Sequence, residues 1–383
     1  MRKRTTIGII SLPLVILIAL FLSACDVVTQ IPAPPLEQQG NFIIANPYAN
    51  VDWEEYGQYK ANFHAHTTNS DGKNTLAEMV EDHYAKGYSI LAVTDHNFLT
   101  ADWCSALDGP NYKRLTEIEA GLGRGGAAMI AISNCIEQSA TEHVNSFFAA
   151  YTNPADEAWT MADTIAAVEA LGGISHINHP GRYTGGVLGG DEGAQASNDP
   201  YNVDKYVALF LAYPSLVGME IVNKDDNESR SDKILWDNIL AQLVPEGRFV
   251  WGFANDDTHS IEATGLSWNV MLLPELSQAA TRDAMIGGEF YAVSRFDRRE
   301  NISAEDFTLA APSIVRIVVE SDSITIVGAD YENIEWIAGG KKIATGATLE
   351  LNEHEAEIGS YVRAQLKSDN GIAYTQPFGI SKR

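Results

Sequence analysis

The sequence predicts a mainly parallel α/β domain followed by a small all-β sandwich. Three observations carry this. The 383-residue length holds one large domain plus a small one. Between residues 60 and 300, short apolar runs alternate with stretches of helical period, the pattern of strand–helix units and a parallel sheet. Past Asn301 the helical period stops, and short apolar runs punctuated by Gly, Asp and Asn take over, which reads as a sandwich over 301–383.

The elements follow in chain order. Arg2, Lys3 and Arg4 precede an apolar run over 7–22, then Leu22-Ser23-Ala24-Cys25. That pattern is an address, not part of the fold. It resembles a bacterial lipoprotein signal, cut before a lipid-bearing Cys. The run lies at the short end of the roughly 17–25 residues a membrane span needs. Residues 1–24 are therefore expected to be a signal peptide, with Cys25 lipidated. The rest is expected to be held at the bacterial cell envelope outside the cytoplasm. Residues 25–59, with Pro32, Pro34 and Pro35 and few periodic apolar residues, read as a tether.

The main domain is expected over 60–300. Thr75 and Glu78 form a capping-box signal, Leu76, Met79, Val80 and Tyr84 share a helix face, and Gly87 ends the helix. Residues 89–94 and 128–133 read as strands. Met161, Ile165, Val168 and Leu171 form a helix stripe closed by Gly172-Gly173. Residues 174–178, 217–222 and 249–254 read as further strands, and 234–243 and 276–286 as helices. In the last domain 314–319, 323–327, 334–338, 347–351, 361–366 and 372–376 read as strands.

Charge narrows the function. The formal net charge is -25, and loss of residues 1–24 makes it -28. Nucleic-acid binding needs clustered Lys and Arg, and no such cluster lies beyond the first four residues, so nucleic acid is not expected as a bulk partner. Cys104 and Cys135 remain after the signal. In an exported protein they either pair or sit as buried thiols.

The chemistry lies in where His, Asp and Glu fall relative to strand ends. In a parallel α/β barrel those ends converge on one rim, so residues distant in sequence meet there. His64 and His66 have the i, i+2 spacing that points two side chains the same way in extended chain. Asp71 follows in a turn. Asp95-His96 closes the strand at 89–94. Glu137 follows the strand ending at Ser133, with His143 six residues later. His179 follows 174–178, and Asp257 and His259 follow 249–254, again at i, i+2. Six of the nine histidines fall in these segments. Burying so many ionisable groups without metal is costly, and imidazole with carboxylate suits Zn²⁺, Mn²⁺ or Fe²⁺.

At this point the chain resembles the PHP (polymerase and histidinol phosphatase) family. The matching text, in the family's order, is FHAHTTNSDG, VTDHN, CIEQSATEHVN, GGISHINHPGR and NDDTHS, within residues 61–300. GGEFYAVS looks like the family's last barrel stretch. The resemblance implies a distorted (β/α)7 TIM-like barrel, a cluster of three divalent metal ions and hydrolysis of phosphate esters. By that resemblance the ligands are His64, His66, Asp71, His96, Glu137, His143, His179, Asp257 and His259, with Glu137 as the bridging carboxylate. The all-β segment is similar to one found after exported PHP domains. One departure is Cys135, where the family commonly has Gly.

Metal-activated hydroxide would attack the phosphorus, and the phosphoryl group needs a further cation. Arg182, three residues after His179, is the first choice; Arg295, Arg298 and Arg299 are weaker ones. His176 is either a core histidine or a general acid for the leaving group. Asp95 is expected to orient His96. Glu220 either lines the pocket or caps a turn, and His83 and His354 read as solvated or locally hydrogen-bonded. Residues 121–126 match G-x-G-x-x-G, but with helix before and strand after, the reverse of a dinucleotide site. The loop 224–228 lacks an EF-hand pattern and reads as solvated.

The leading expectation is a phosphomonoesterase or phosphodiesterase acting on a small phosphorylated molecule. An amidohydrolase-like enzyme cleaving C–N or carboxylic ester bonds uses the same ligands. A third reading is a surface binding protein that works through its β domain.

Overall fold

The computed structural model describes residues 32–107, 113–155 and 158–383. The expected signal peptide and Cys25 lie outside these residues.

The fold is mixed α/β with several sheets. In the largest, Gly57–Asn62, Ile90–Leu91 and Ile130–Ala131 run parallel. Ser267–Leu273 and Phe290–Ser294 extend it antiparallel. In a second sheet, Ile174–Ile177, Leu216–Asn223 and Trp251–Asn255 run parallel, and a hairpin of Ile136–Ser139 and His143–Phe147 flanks them. The parallel pairing expected from strand–helix alternation therefore holds within each half and gives way to antiparallel strands between and beyond. Isolated bridges join the two sheets: Ala65 with Thr258, His96 with Glu137, and Thr100 with Cys135. Two of the three fall on or beside predicted ligands, so the seam between the sheets is where the His and acidic side chains gather.

Local chemistry explains the helices. Thr75 and Glu78 complete the capping box at the start of Leu76–Ala85. Thr160 and Asp163 do the same for Met161–Ala170, which buries Met161, Ile165 and Val168. Asp232–Leu243 buries Leu235, Trp236, Ile239 and Leu240. Gly181–Thr184, Gly190–Asn198 and Pro200–Ala212 were not expected. Gly, Asn and Pro punctuate that stretch as a loop would be punctuated, yet Asp199 caps the third helix and Pro200 opens it. Phe63, Phe147 and Phe253 pack edge to face between the sheets.

The first and last described segments are built into this frame. The segment expected as a tether is folded from Leu36 on: Phe42–Ala45 pairs antiparallel with Phe378–Lys382, and Phe42, Ile44 and Tyr48 are buried. Tyr48 donates its hydroxyl to the Phe290 carbonyl at 3.0 Å and accepts the Gln376 N–H at 2.8 Å. Its strand partner lies more than three hundred residues away, so no local pattern announces it. In the C-terminal segment, Ser313–Glu320, Ser323–Ala329 and Thr348–Glu350 form a separate three-stranded sheet. Gly371–Tyr374 pairs with Phe290–Ser294, so other strands of that segment continue the main sheet where a detached sandwich was expected. No disulfide joins Cys135, which is buried, to Cys104, which is half-buried.

Candidate metal centre

The side chains of His64, His66, Asp71, His96, Glu137, His143, His179, Asp257 and His259 meet at the seam in four overlapping groups. These are His66, Asp71, His96 and His259; His64, Glu137 and His179; His64, His66 and Asp257; and His96, Glu137 and His143. Within each group the donor atoms lie within 4.8 Å of one another.

Strand ends place them. His64 and His66 continue Gly57–Asn62, and the His66 N–H donates to the Thr258 carbonyl at 2.8 Å, which sets the first pair beside the last. Asp257 has φ 42° and His179 φ 29°, a left-handed backbone rare for residues with a side chain. Such strain concentrates where function requires it.

Glu137 is the hub. Its Oε1 lies 3.2 Å from His64 Nε2, 3.0 Å from His143 Nδ1 and 3.4 Å from His179 Nε2. Its Oε2 lies 3.5 Å from His66 Nε2 and 2.6 Å from His96 Nδ1. Asp257 Oδ1 stands 3.4 Å from His64 Nε2 and 3.1 Å from His66 Nε2. Burial alone would raise the Glu137 carboxyl, but His64, His143 and His179 outweigh it and hold it well below the usual carboxylate range. Burial is likewise overcome at Asp257 by His64, Lys224 and His66. Burial opposes a charge on His64, yet Asp257, Glu220 and Glu137 hold its pKa well above the imidazole norm.

The donor set fits metal ions. His64 Nε2, His66 Nε2 and Asp257 Oδ1 are buried without a hydrogen-bond partner, although they face one another at short range. Buried polar atoms are ordinarily paired, and three that converge unpaired are shaped for a cation. Glu220 fixes the first of them. Its Oε1 contacts His64 Nδ1 at 2.8 Å and accepts from Asn255 Nδ2; its Oε2 accepts from His179 N and Asn223 Nδ2. With Nδ1 so held, Nε2 is left for a ligand bond. Asp95 behaves otherwise than expected. It accepts from Thr67 N, Thr67 Oγ1 and Ser70 Oγ at 2.6–2.7 Å, so it braces the loop leading to Asp71 and not the His96 ring.

The cations differ from expectation too. Arg182 reaches only Glu228, at 3.8 Å, and is about half exposed. Arg295 lies over Trp268 and Phe307, Arg298 pairs with Asp225, and Arg299 bonds Ser231 and Gly190; none contacts the cluster. Lys224 does, at 2.8 Å from Asp257 Oδ2, with its own backbone left-handed at φ 53°. Burial lowers its pKa, but Asp257 more than compensates and the ammonium is favoured. Tyr183 also stands at the site, its ring 5.4 Å from His143 and its buried hydroxyl unpartnered.

His176 is placed away from this chemistry. It is fully buried between the rings of Phe147 and Phe253, and burial pushes its pKa down to about 4. A sealed, neutral imidazole has no path to a leaving group, so the general-acid role gives way to packing. His83 is buried as well, held by the Met79 carbonyl and Asn62, with its pKa lowered to about 3. His354 bonds Glu357 near the surface. The 224–228 loop is not simply solvated, since Asp226 is buried against Lys233.

No protein-family model matches the sequence, and no curated protein matches it. Several solved structures are similar to it. One is a two-domain protein from Bacteroides vulgatus containing a predicted PHP-like metal-dependent phosphoesterase. It is 17% identical, the match covers 90% of this chain and 99% of that one, and the TM-score is 0.43. An amidohydrolase from Chromobacterium violaceum is 14% identical over 52% of this chain and 87% of its own, with a TM-score of 0.32. The lesion-specific endonuclease of Pyrococcus furiosus is 15% identical over 60% and 56%, with a TM-score of 0.36. Identities this low and TM-scores below 0.5 leave the chemistry to be argued from the side chains.

Proposed function

We propose that this protein is a metal-dependent phosphoesterase of the PHP type, hydrolysing phosphate mono- or diesters outside the cytoplasm. One observation carries the reading. Nine nitrogen and oxygen donors from distant segments converge, and three buried ones are left unpartnered where they meet. The overlapping groups fit more than one ion, and three divalent ions (zinc, manganese or iron) suit the donor set. When bound, such ions supply Lewis acidity and make hydroxide available near neutral pH.

The chain's own residues do the rest. Glu137 reaches toward five imidazoles and holds the centre together. Glu220 locks His64. Lys224 offers a fixed ammonium to a non-bridging phosphoryl oxygen, and Arg182, loosely held by Glu228, is free to swing to a second. Water's oxygen joins phosphorus as the ester P–O bond breaks, and the departing alkoxide takes up a proton. The Tyr183 hydroxyl is an available donor to it. Asp71, His96 and His259, at the open side, leave room for the ester to enter.

The test is elemental analysis of gently purified protein beside a panel of phosphate mono- and diesters, amides and lactones. Stoichiometric metal with turnover of phosphate esters is expected. Turnover of amides or lactones alone would transfer the reading to amidohydrolase-like chemistry. We also infer that Cys25 carries the lipid that holds the enzyme to the membrane; mass spectrometry of the mature N-terminus tests this.

A further inference from the structure

A groove of about 520 Å³ opens beside the metal centre, lined by Asn97, Ser139, Ala140, Pro154, Ala158 and Trp159 among others. It is continuous with the centre. Ser139 Oγ lies 2.6 Å from His96 Nδ1 and 3.5 Å from Glu137 Oε2, so one side chain serves both as groove wall and as neighbour of two donors.

Most hydrogen-bonding side chains of the described wall are already used, the exposed Thr141 hydroxyl excepted. Asn97 donates Nδ2 to the Ser139 carbonyl at 3.2 Å and accepts the Ser139 N–H on its Oδ1 at 3.0 Å. Asn153 is engaged with Thr164 at 3.0 Å. The Trp159 indole N–H donates to the Pro154 carbonyl at 3.2 Å, which fixes the ring, and Tyr151 meets it edge to face. Besides Thr141, what the described wall leaves to a ligand is a set of apolar faces: Ala140, Pro154, Ala155, Ala158 and the half-buried indole. The cations lie elsewhere. Lys224 contacts Asp257, which shares no donor group with His96. An ester with its phosphoryl group over the centre and near Lys224 has this groove, on the His96 side, open to its other half.

We propose that this groove is the leaving-group subsite and that it takes a flat, largely apolar group, an aryl or heterocyclic ring stacked on Trp159. The proposal rests on the phosphoesterase reading and names its substrate class: esters of ring-bearing alcohols, not of small polyols.

The test compares 1-naphthyl phosphate with glycerol 2-phosphate. Wild type is expected to favour the naphthyl ester in kcat/KM. Trp159→Ala should lower that preference about tenfold, Trp159→Phe should keep most of it, and Ala140→Leu, which narrows the groove, should lower it as well; a ring stacked on an aromatic side chain loses this much by truncation. An unchanged preference in Trp159→Ala overturns the proposal. Saturation-transfer NMR with 1-naphthyl phosphate reads the groove even if neither ester turns over. Transfer to the ring protons that disappears in Trp159→Ala supports the subsite, and equal transfer in both proteins overturns it. Failure of turnover alone counts against the phosphoesterase reading and not against the groove.

Discussion

Two clusters of buried charge, one at the seam of the sheets and one under the C-terminal strands, are built on opposite principles. Under the C-terminal strands the charges are mostly paired, the buried Asp232 beside Lys233 being the exception. Arg363 donates Nε and Nη2 to the two oxygens of Asp237 at 2.8 and 2.7 Å, and the Tyr361 hydroxyl adds a third bond at 2.8 Å. Lys233 sits between Asp226 and Asp297 at 3.1 and 3.5 Å. At the seam, charges of both signs crowd as closely, yet His64 Nε2, His66 Nε2 and Asp257 Oδ1 remain unpartnered. Closed networks hold a fold; an open one of matched ligand types is held by the fold for something else.

Four experiments separate the two clusters. Asp257→Asn should lower turnover of the preferred phosphate ester by roughly two to three orders of magnitude, with circular dichroism unchanged, because it removes a charge the proposed ions need; losses at an electrostatic site run to about that size. Wild-type turnover in the variant would remove the seam's special status. Asp237→Ala should do the reverse. It strands the Arg363 guanidinium and costs about 3–5 kcal/mol in urea unfolding, while the folded fraction keeps its metal. Chelation of the wild type should lower its unfolding free energy by about 2.7 kcal/mol, if the ions were bound at a hundredfold over their dissociation constant. Readdition of zinc or manganese should restore it, and an unmoved midpoint would leave the open atoms unexplained.

The smallest effect concerns His83 and His176, buried and neutral away from both clusters. Their folded pKa values, about 3 and about 4, lie below the unfolded imidazole value of about 6.5. The unfolded chain therefore binds more protons between those limits. Their contribution to stability is full above about pH 6.5 and is lost as pH falls, at about 1.4 kcal/mol per pH unit for each. His176→Phe should flatten that slope when unfolding is compared at pH 7 and pH 5, and leave kcat unchanged.

What the sequence disclosed follows the range over which residues act. His64 with His66, and Asp257 with His259, announce themselves by i, i+2 spacing after an apolar run, a strictly local signal. The capping boxes at Thr75 and Thr160 are as local. Lys224 was hidden because its importance depends on pairing. Leu216–Asn223 and Trp251–Asn255 are parallel neighbours in register at Asn223 and Asn255, which brings the residues just beyond each strand together. In sequence it heads an acidic loop; a polar residue directly after a buried strand that neighbours a ligand-bearing strand is the signal that could have found it. Glu220 was visible as a strand-end acid, but three of its four hydrogen bonds come from three other segments. His176 sits three residues from His179 on an apolar strand, and only the rings above and below it decide between packing and chemistry.

The zipping of Phe42–Ala45 onto Phe378–Lys382 bears on how force travels. Were the chain fastened by a lipid at Cys25, as proposed, it would be pulled from residue 32 whenever the surroundings flow. That pull reaches the C-terminal strands through this pairing before it reaches any metal ligand, and Tyr48, clasped by Phe290 and Gln376, backs it up. In a chain so anchored the last strands would act as a strain relief, of the kind a cable has where it enters its housing.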